Sequence, residues 1–358
     1  MSSFLPSLLA LAGLAATQEE RAIRGVLVFK TARSGSSWLS GLLGRLARVR
    51  FYGEVIEWKT CSHYTPTELA GYLDALLTRD SVPKLARHNK SSVQALLAQP
   101  RVGGCGESPT EARGAFASPK GACAAVPFAA VLRLTCAKVV LFLRTNLVKM
   151  AIARIHDNKV GWSPKICGES RRRLGRGANL HRNCTYVPKR LNVTVRLFMS
   201  FLKGKAIQEN ERLVDAVSSL DQPDSLTMTY ENLQRDRAGE LEKFKRFVGL
   251  EWRGLGGEGL DEQQHLVKAA PDDPRLALTT ELWGALDLTF RNTSFSSSSS
   301  SFSSRQLVDC LLAMLRAAGP VDFNYAPCVP SFDHQQGRTS GMVVETFAAM
   351  YNWIPFAD

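Results

Sequence analysis

Long apolar runs are missing from this chain of 358 residues. No segment stays apolar over the roughly 20 residues that a bilayer-spanning helix needs, so a transmembrane helix is not expected. Metal spacing is missing too. The eight cysteines are Cys61, Cys105, Cys123, Cys136, Cys167, Cys184, Cys310 and Cys328, and no two stand at C-x-x-C distance, which argues against a zinc site. Acidic residues are in deficit. Lys and Arg number 45 against 33 Asp and Glu, a formal charge of +12. That balance favours anionic partners (nucleotides, sulfated or acidic glycans, nucleic acid, a membrane surface) without choosing among them. The signature of a magnesium-nucleotide hydrolase is also absent. No lysine follows the glycine of the loop after the first apolar strand, and no strand ends in a clear Walker-B aspartate.

Hydrophobic residues make up 45% of the chain, enough for a sizeable globular core. Residues 1–24 form a leader. Its segment Phe4 to Ala16 is apolar and ends in small residues, as a signal peptide does, but no Lys or Arg precedes it. A signal peptide and a disordered tail both remain open. An even cysteine count permits disulfides. Sequons occur at Asn89, Asn183, Asn192 and Asn292 and matter only in the secretory pathway.

From Gly25 the pattern becomes regular. Val26 to Phe29 is a continuous apolar run, as a parallel strand covered on both faces requires. A polar loop, Lys30 to Ser36, follows. Then Trp38, Leu39, Leu42, Leu43 and Leu46 recur at helical spacing. Val139 to Leu143 is a second such strand, with Arg144 at its end and a helical stripe through Leu147, Val148, Ala151, Ile152 and Ile155. Leu226 to Thr229 begins a third unit, whose helix shows Leu241, Phe244 and Val248 on one face. Strands alternating with helices predict an α/β fold with a doubly wound parallel sheet flanked by helices. Residues 101–125, rich in Gly, Cys and Ala, read as a loop insertion, and residues 163–185 as an Arg- and Gly-rich stretch. Residues 294–304 are almost pure serine and read as a flexible linker. The expected organisation is therefore a main domain at 25–293, the linker, and a C-terminal segment at 305–358 packing on the main domain.

The loop Lys30-Thr31-Ala32-Arg33-Ser34-Gly35-Ser36-Ser37 carries the chemistry. A helix N-terminus offers backbone N–H groups and a positive dipole end. Gly35 lets the backbone come close to an anion. Ser34, Ser36 and Ser37 add hydroxyls, and Lys30 and Arg33 add charge. Together they suit a phosphate-like group.

Arg33-Ser34-Gly35-Ser36-Ser37-Trp38-Leu39 resembles the 5′-phosphosulfate-binding motif of sulfotransferases that use 3′-phosphoadenosine 5′-phosphosulfate (PAPS). That family has a P-loop-like fold without the magnesium lysine. The resemblance implies that Arg33 stabilises charge on the leaving phosphate and that Lys30, Arg33, Ser34, Gly35, Ser36, Ser37 and Trp38 hold the donor. Leu143-Arg144 and the following helix look like the family's 3′-phosphate motif, with Arg144 as the clamp. The family's serine on that helix is missing; Ile152 and Ala153 stand where it would fall, leaving Thr145 or Asn146 to compensate. Tyr230-Glu231-Asn232-Leu233, with Phe247-Val248-Gly249-Leu250 after it, resembles the family's closing segment, in which Tyr230 would lie near the adenine or simply cap a core strand.

Transfer needs a base within hydrogen-bond reach of the acceptor. Carbohydrate-type members of the family use a glutamate shortly after the first helix, and here Glu54 stands at that place, with Glu57 in reserve; His63 and His88 sit in no matching motif. The resemblance implies a PAPS-dependent sulfotransferase nearer the carbohydrate type, with PAPS as co-substrate and no metal. Its acceptor pocket would be built from residues 55–125 and 160–190. The acceptor stays open, and no nucleic-acid partner is expected. A secretory or Golgi location is favoured over the cytoplasm. Two rivals remain: a P-loop small-molecule kinase, and a non-catalytic protein that binds anionic glycan, for which the Arg171–Arg176 cluster would suit.

Overall fold

A computed structural model describes residues 23–46, 48–54, 61, 63–78, 111–118, 121–156, 190–220, 225–250, 277–292 and 304–317. The leader, Glu57, His88, the arginine-rich stretch after residue 162 and the serine tract up to residue 303 lie outside them. The described elements are β1 (Ile23–Lys30), α1 (Ser36–Leu43), β2 (Val49–Glu54), α2 (Pro66–Thr78), β3 (Glu111–Ala117), α3 (Phe128–Thr135), β4 (Lys138–Leu143), α4 (Leu147–Ile155) and α5 (Val195–Phe201). After α5 a π-helical turn, Leu202–Ile207, leads into α6 (Gln208–Ser218). Then come β5 (Ser225–Thr229), α7 (Tyr230–Arg235), α8 (Arg237–Val248), α9 (Thr280–Asn292) and α10 (Ser304–Arg316).

The fold is α/β, with a five-stranded parallel sheet flanked by helices in the order β2-β3-β1-β4-β5. The three strands expected from the sequence all form, two of them on apolar runs. The first helix is shorter than its stripe: it stops at Leu43, though Leu46 is still buried. The chain leaves β1 toward β2 on one side and leaves β4 toward β5 on the other. The strand order therefore reverses between β1 and β4.

The chain divides into two compact units. One holds Met1–Val28, Ser40–Val139 and Phe244–Trp252; the other holds Phe29–Leu39, Val140–Lys243 and Arg253–Asp358. In the first, β2 pairs in parallel with β3, with Val49 opposite Ala112, and the register shifts between Phe51 and Glu54. The Phe51 ring lies flat over Gly114, where any Cβ would meet it at 2.7 Å, and touches Phe116 edge-on. Tyr72, Ala75, Leu76 and Ala115 pack together under Tyr52. Cys61 is bonded to Cys123, closing a 62-residue separation. A loop of that length is worth about 4 kcal/mol in the chain-entropy account. Cys136 and Cys310 are disulfide-bonded as well.

β3 corrects the sequence reading. Residues 111–117, taken as part of a loop insertion, form a strand buried along its whole length. Its sequence, Glu-Ala-Arg-Gly-Ala-Phe-Ala, lacks β-branched residues and carries a charge pair where an apolar run is expected. Arg113 is completely buried, and its Nε and Nη2 both donate to the Glu111 carboxylate at 3.2 Å. Arg50 reaches the same carboxylate from β2 at 2.8 Å. Two residues apart on a strand, Arg113 and Glu111 share a face, so the pair is desolvated together rather than singly.

In the second unit α4 packs on the π-turn, α5 and α10, and Arg154 of α4 pairs with Glu209 of α6. His156, which caps α4, is buried, and neither ring nitrogen has a hydrogen-bond partner among the described residues. Burial holds its imidazole below the ordinary histidine range. The folded state therefore binds this proton less readily than the unfolded chain. Stability from this group is full above the unfolded value and is lost as pH falls below about 6.5. Urea unfolding between neutral and mildly acid pH should show this loss, and His156→Leu should flatten it. An unchanged slope in the variant would assign the pH effect elsewhere.

Candidate functional site

The site is built within the second unit at the ends of β1 and β4. Lys30 closes β1 and is buried, and the chain then turns through Thr31 to Gly35. Two residues of this turn adopt left-handed backbone, Arg33 at φ 64° and Gly35 at φ 90°. Ser34 is fully buried and donates its hydroxyl hydrogen to the Thr31 carbonyl at 2.8 Å, so the side chain closes the turn on itself. Gly35 O then accepts from Trp38 N at 3.0 Å and Leu39 N at 3.1 Å, which starts α1. Ser36 is buried, Ser37 exposed, and Arg33 and Trp38 half-buried.

Gly35 is required twice. Its φ is open to glycine at little cost, and a Cβ there would stand 2.2 Å from Tyr230 Cδ2. The Tyr230 ring, from the start of α7, covers the turn. It meets Trp38 edge-on with centroids 5.6 Å apart, and its hydroxyl accepts from Gln234 Nε2 at 2.6 Å.

Arg144 lies 4.8 Å above the Tyr230 ring. It is 9% exposed, and its Nη1 donates to the Arg33 carbonyl at 3.3 Å. Arg33 and Arg144, far apart in sequence, are thus direct neighbours. Their loops are stitched a second time by Asn210 of α6. Its Oδ1 accepts from Thr31 Oγ1 at 3.0 Å, and its Nδ2 donates to Arg144 O at 3.1 Å. Asn210 is fully buried. Sequence reasoning passed it over, although it shares a helical face with Leu213, Val214 and Val217, and a polar residue on an apolar stripe is a signal.

Glu231 was also passed over as a site residue. Its carboxylate, 1% exposed, accepts from Thr145 N at 2.9 Å, Thr145 Oγ1 at 2.8 Å and Asn146 N at 3.0 Å. Arg144 Nε stands 3.9 Å away, an ion pair without a hydrogen bond. Asn146 caps α4 through Lys149 N at 3.0 Å, while its amide donates to Met314 O at 3.2 Å on α10. Thr145 Oγ1 is thus engaged inside the protein, as are the Asn146 oxygen and one of its two amide hydrogens. Ile152 is buried, and Ala153 offers only a methyl group.

Arg237, the first residue of α8, rests on the other aromatic, 5.7 Å from the Trp38 ring. Glu54 belongs to the first unit and ends β2, exposed. His63 is exposed in that unit as well. No group of three His, Cys, Asp or Glu side chains suited to a metal occurs among the described residues.

No protein-family model and no curated protein matches the sequence. Solved structures similar in fold include the mouse sulfotransferase SULT7A1 complexed with PAP, at 12% identity and TM-score 0.34. That match covers 64% of this chain and 61% of the mouse chain, less than two-thirds of its length. A sulfotransferase from Alicyclobacillus acidocaldarius matches at 12% identity and TM-score 0.35, covering 76% and 91%. The sulfotransferase domain of the curacin biosynthetic pathway matches at 11% identity and TM-score 0.29, covering 65% and 76%. Likeness this loose bears on the fold alone.

Two substitutions test the geometry. Glu231→Ala strands two buried N–H groups and a hydroxyl, and should cost on the order of 3 kcal/mol in denaturant unfolding; a loss below about 1 kcal/mol would mean the carboxylate is not the clamp. Gly35→Ala should cost about 2–3 kcal/mol from strain and overpacking. Adding Tyr230→Ala should recover part of that loss, and strict additivity of the two would contradict the contact.

Proposed function

We propose that the chain transfers a sulfuryl group from PAPS to a hydroxyl or amine of an acceptor, most simply a carbohydrate or small metabolite. The observation that carries the reading is the junction of the two basic loops: Arg144 donates to the carbonyl of Arg33 itself, so one nucleotide can engage both. The sulfated end lies against Lys30, Arg33 and the first turn of α1, and the 3′-phosphate against Arg144. Tyr230, beside Arg144, is the candidate neighbour of the adenine.

In the reaction the acceptor oxygen or nitrogen attacks sulfur in line. The bond from sulfur to the bridging oxygen breaks, and 3′,5′-bisphosphoadenosine departs. The acceptor's proton goes to a carboxylate, for which the sequence resemblance makes Glu54 the candidate. Arg33 stabilises charge developing on the bridging oxygen and the leaving phosphate. The donor carries the activated group, so the protein contributes position and charge. A kinase reading has less support, because Ser36 rather than lysine follows Gly35. A secretory or Golgi setting is favoured by the disulfides.

The experiment is a screen of labelled PAPS against pooled acceptors, paired with thermal shifts. Protection by 3′,5′-bisphosphoadenosine but not by ATP is expected. Arg33→Ala should lower transfer by about a hundredfold or more, and Glu54→Gln should lower kcat more than donor affinity. Activity untouched by Arg33→Ala refutes the mechanism. Nucleotide protection with no transfer to any pool leaves a binding protein instead.

A further inference from the structure

Arg237 has no role in the reading above, yet its surroundings are unusual. Among the described residues it forms neither an ion pair nor a hydrogen bond, and its Nε is buried. The neighbouring carboxylate is turned away, since Asp236 Oδ1 accepts from Gly239 N at 2.9 Å to cap α8. What holds the guanidinium is the Trp38 ring at 5.7 Å. Trp38 touches Tyr230, and Tyr230 carries Arg144 on its face. Two arginines thus rest on one aromatic pair. An aromatic face takes up no N–H donor, so the ring leaves the guanidinium's hydrogens unspent.

The anion subsite around Arg144 is short of donors. Ile152 and Ala153 replace the expected hydroxyl, Thr145 Oγ1 and both N–H groups at 145 and 146 are held by Glu231, and the Asn146 amide is held by Met314 O. The hydroxyl expected on α4 is therefore not replaced by Thr145, and one hydrogen of the Asn146 amide is already taken. We propose that Arg237 is a second arginine for the 3′-phosphate of the donor, contacting it from the Trp38 side while Arg144 contacts it from the Tyr230 side. The inference rests on the PAPS reading. It predicts that discrimination for the 3′-phosphate depends on a residue outside the strand-and-helix motif that carries Arg144.

Calorimetric titration of the full chain with 3′,5′-bisphosphoadenosine and with adenosine 5′-monophosphate tests it. The wild type should prefer the bisphosphate. Arg237→Ala should weaken the bisphosphate about tenfold or more and the monophosphate by no more than about twofold, and Arg237→Lys should fall between. Thermal unfolding without ligand checks that both variants fold. Equal loss for both nucleotides would make Arg237 a support for Trp38 and overturn the proposal. So would unchanged or tighter binding of the bisphosphate, which would leave the PAPS reading standing. A wild type that binds neither nucleotide would refute that reading and this inference with it.

Discussion

One hydrogen bond joins the two halves of the candidate site: the guanidinium of Arg144 donates to the carbonyl of Arg33. Everything else arranged around it serves to keep those two loops in register. Asn210 repeats the link from α6, using its oxygen for the first loop and its nitrogen for the second. Glu231 fixes the second loop by taking three hydrogens from residues 145 and 146. Tyr230, next to Glu231, lies between the loops, with Gly35 beneath it and Arg144 above. The short segment at the start of α7 thus clamps one loop and supports the other. The sequence motif containing it has a physical reason independent of any ligand.

How much of this was legible depended on whether a residue acts through its own periodicity or through a distant partner. β1 and β4 announced themselves as apolar runs, because strands covered on both faces must be apolar. β3 did not, because its buried charge pair, Glu111 with Arg113, looks like surface when read without its partner. Charge, glycine and serine marked the loop at 30–37. Yet the reading gave Ser34 the same task as Ser36 and Ser37, and its hydroxyl donates inward to Thr31 O. That use depends on the left-handed turn at Arg33, which no local propensity foretells.

Glu231 and Asn210 show the other limit. Each stood in view, one within a noted motif and one on an apolar helical face. Their meaning comes from partners 66 to 179 positions away, and sequence separation hides such pairs. Gly35 was read as leaving room for an anion. The ring of Tyr230 fills the space a side chain would occupy, so the glycine answers to packing before it answers to a ligand.

The charge balance of the site follows from these contacts. Arg144 is nearly buried, and its nearest carboxylate is already shared among three donors and stands 3.9 Å away. A buried cation so weakly neutralised is costly to hold. The Tyr230 face and the Arg33 carbonyl offset part of that cost, since aromatic rings and carbonyl dipoles attract a cation without carrying a full opposite charge. Arg237 on Trp38 repeats the device with no carboxylate at all. A ring takes the place of an acid at Arg237, and at Arg144 a ring and a carbonyl share the task with Glu231. An acidic partner would stabilise the ligand-free fold further, but it would have to be displaced or outcompeted by any anion that binds. Cations held by aromatic faces gain most when an anion arrives, because binding then supplies the neutralisation that folding withheld.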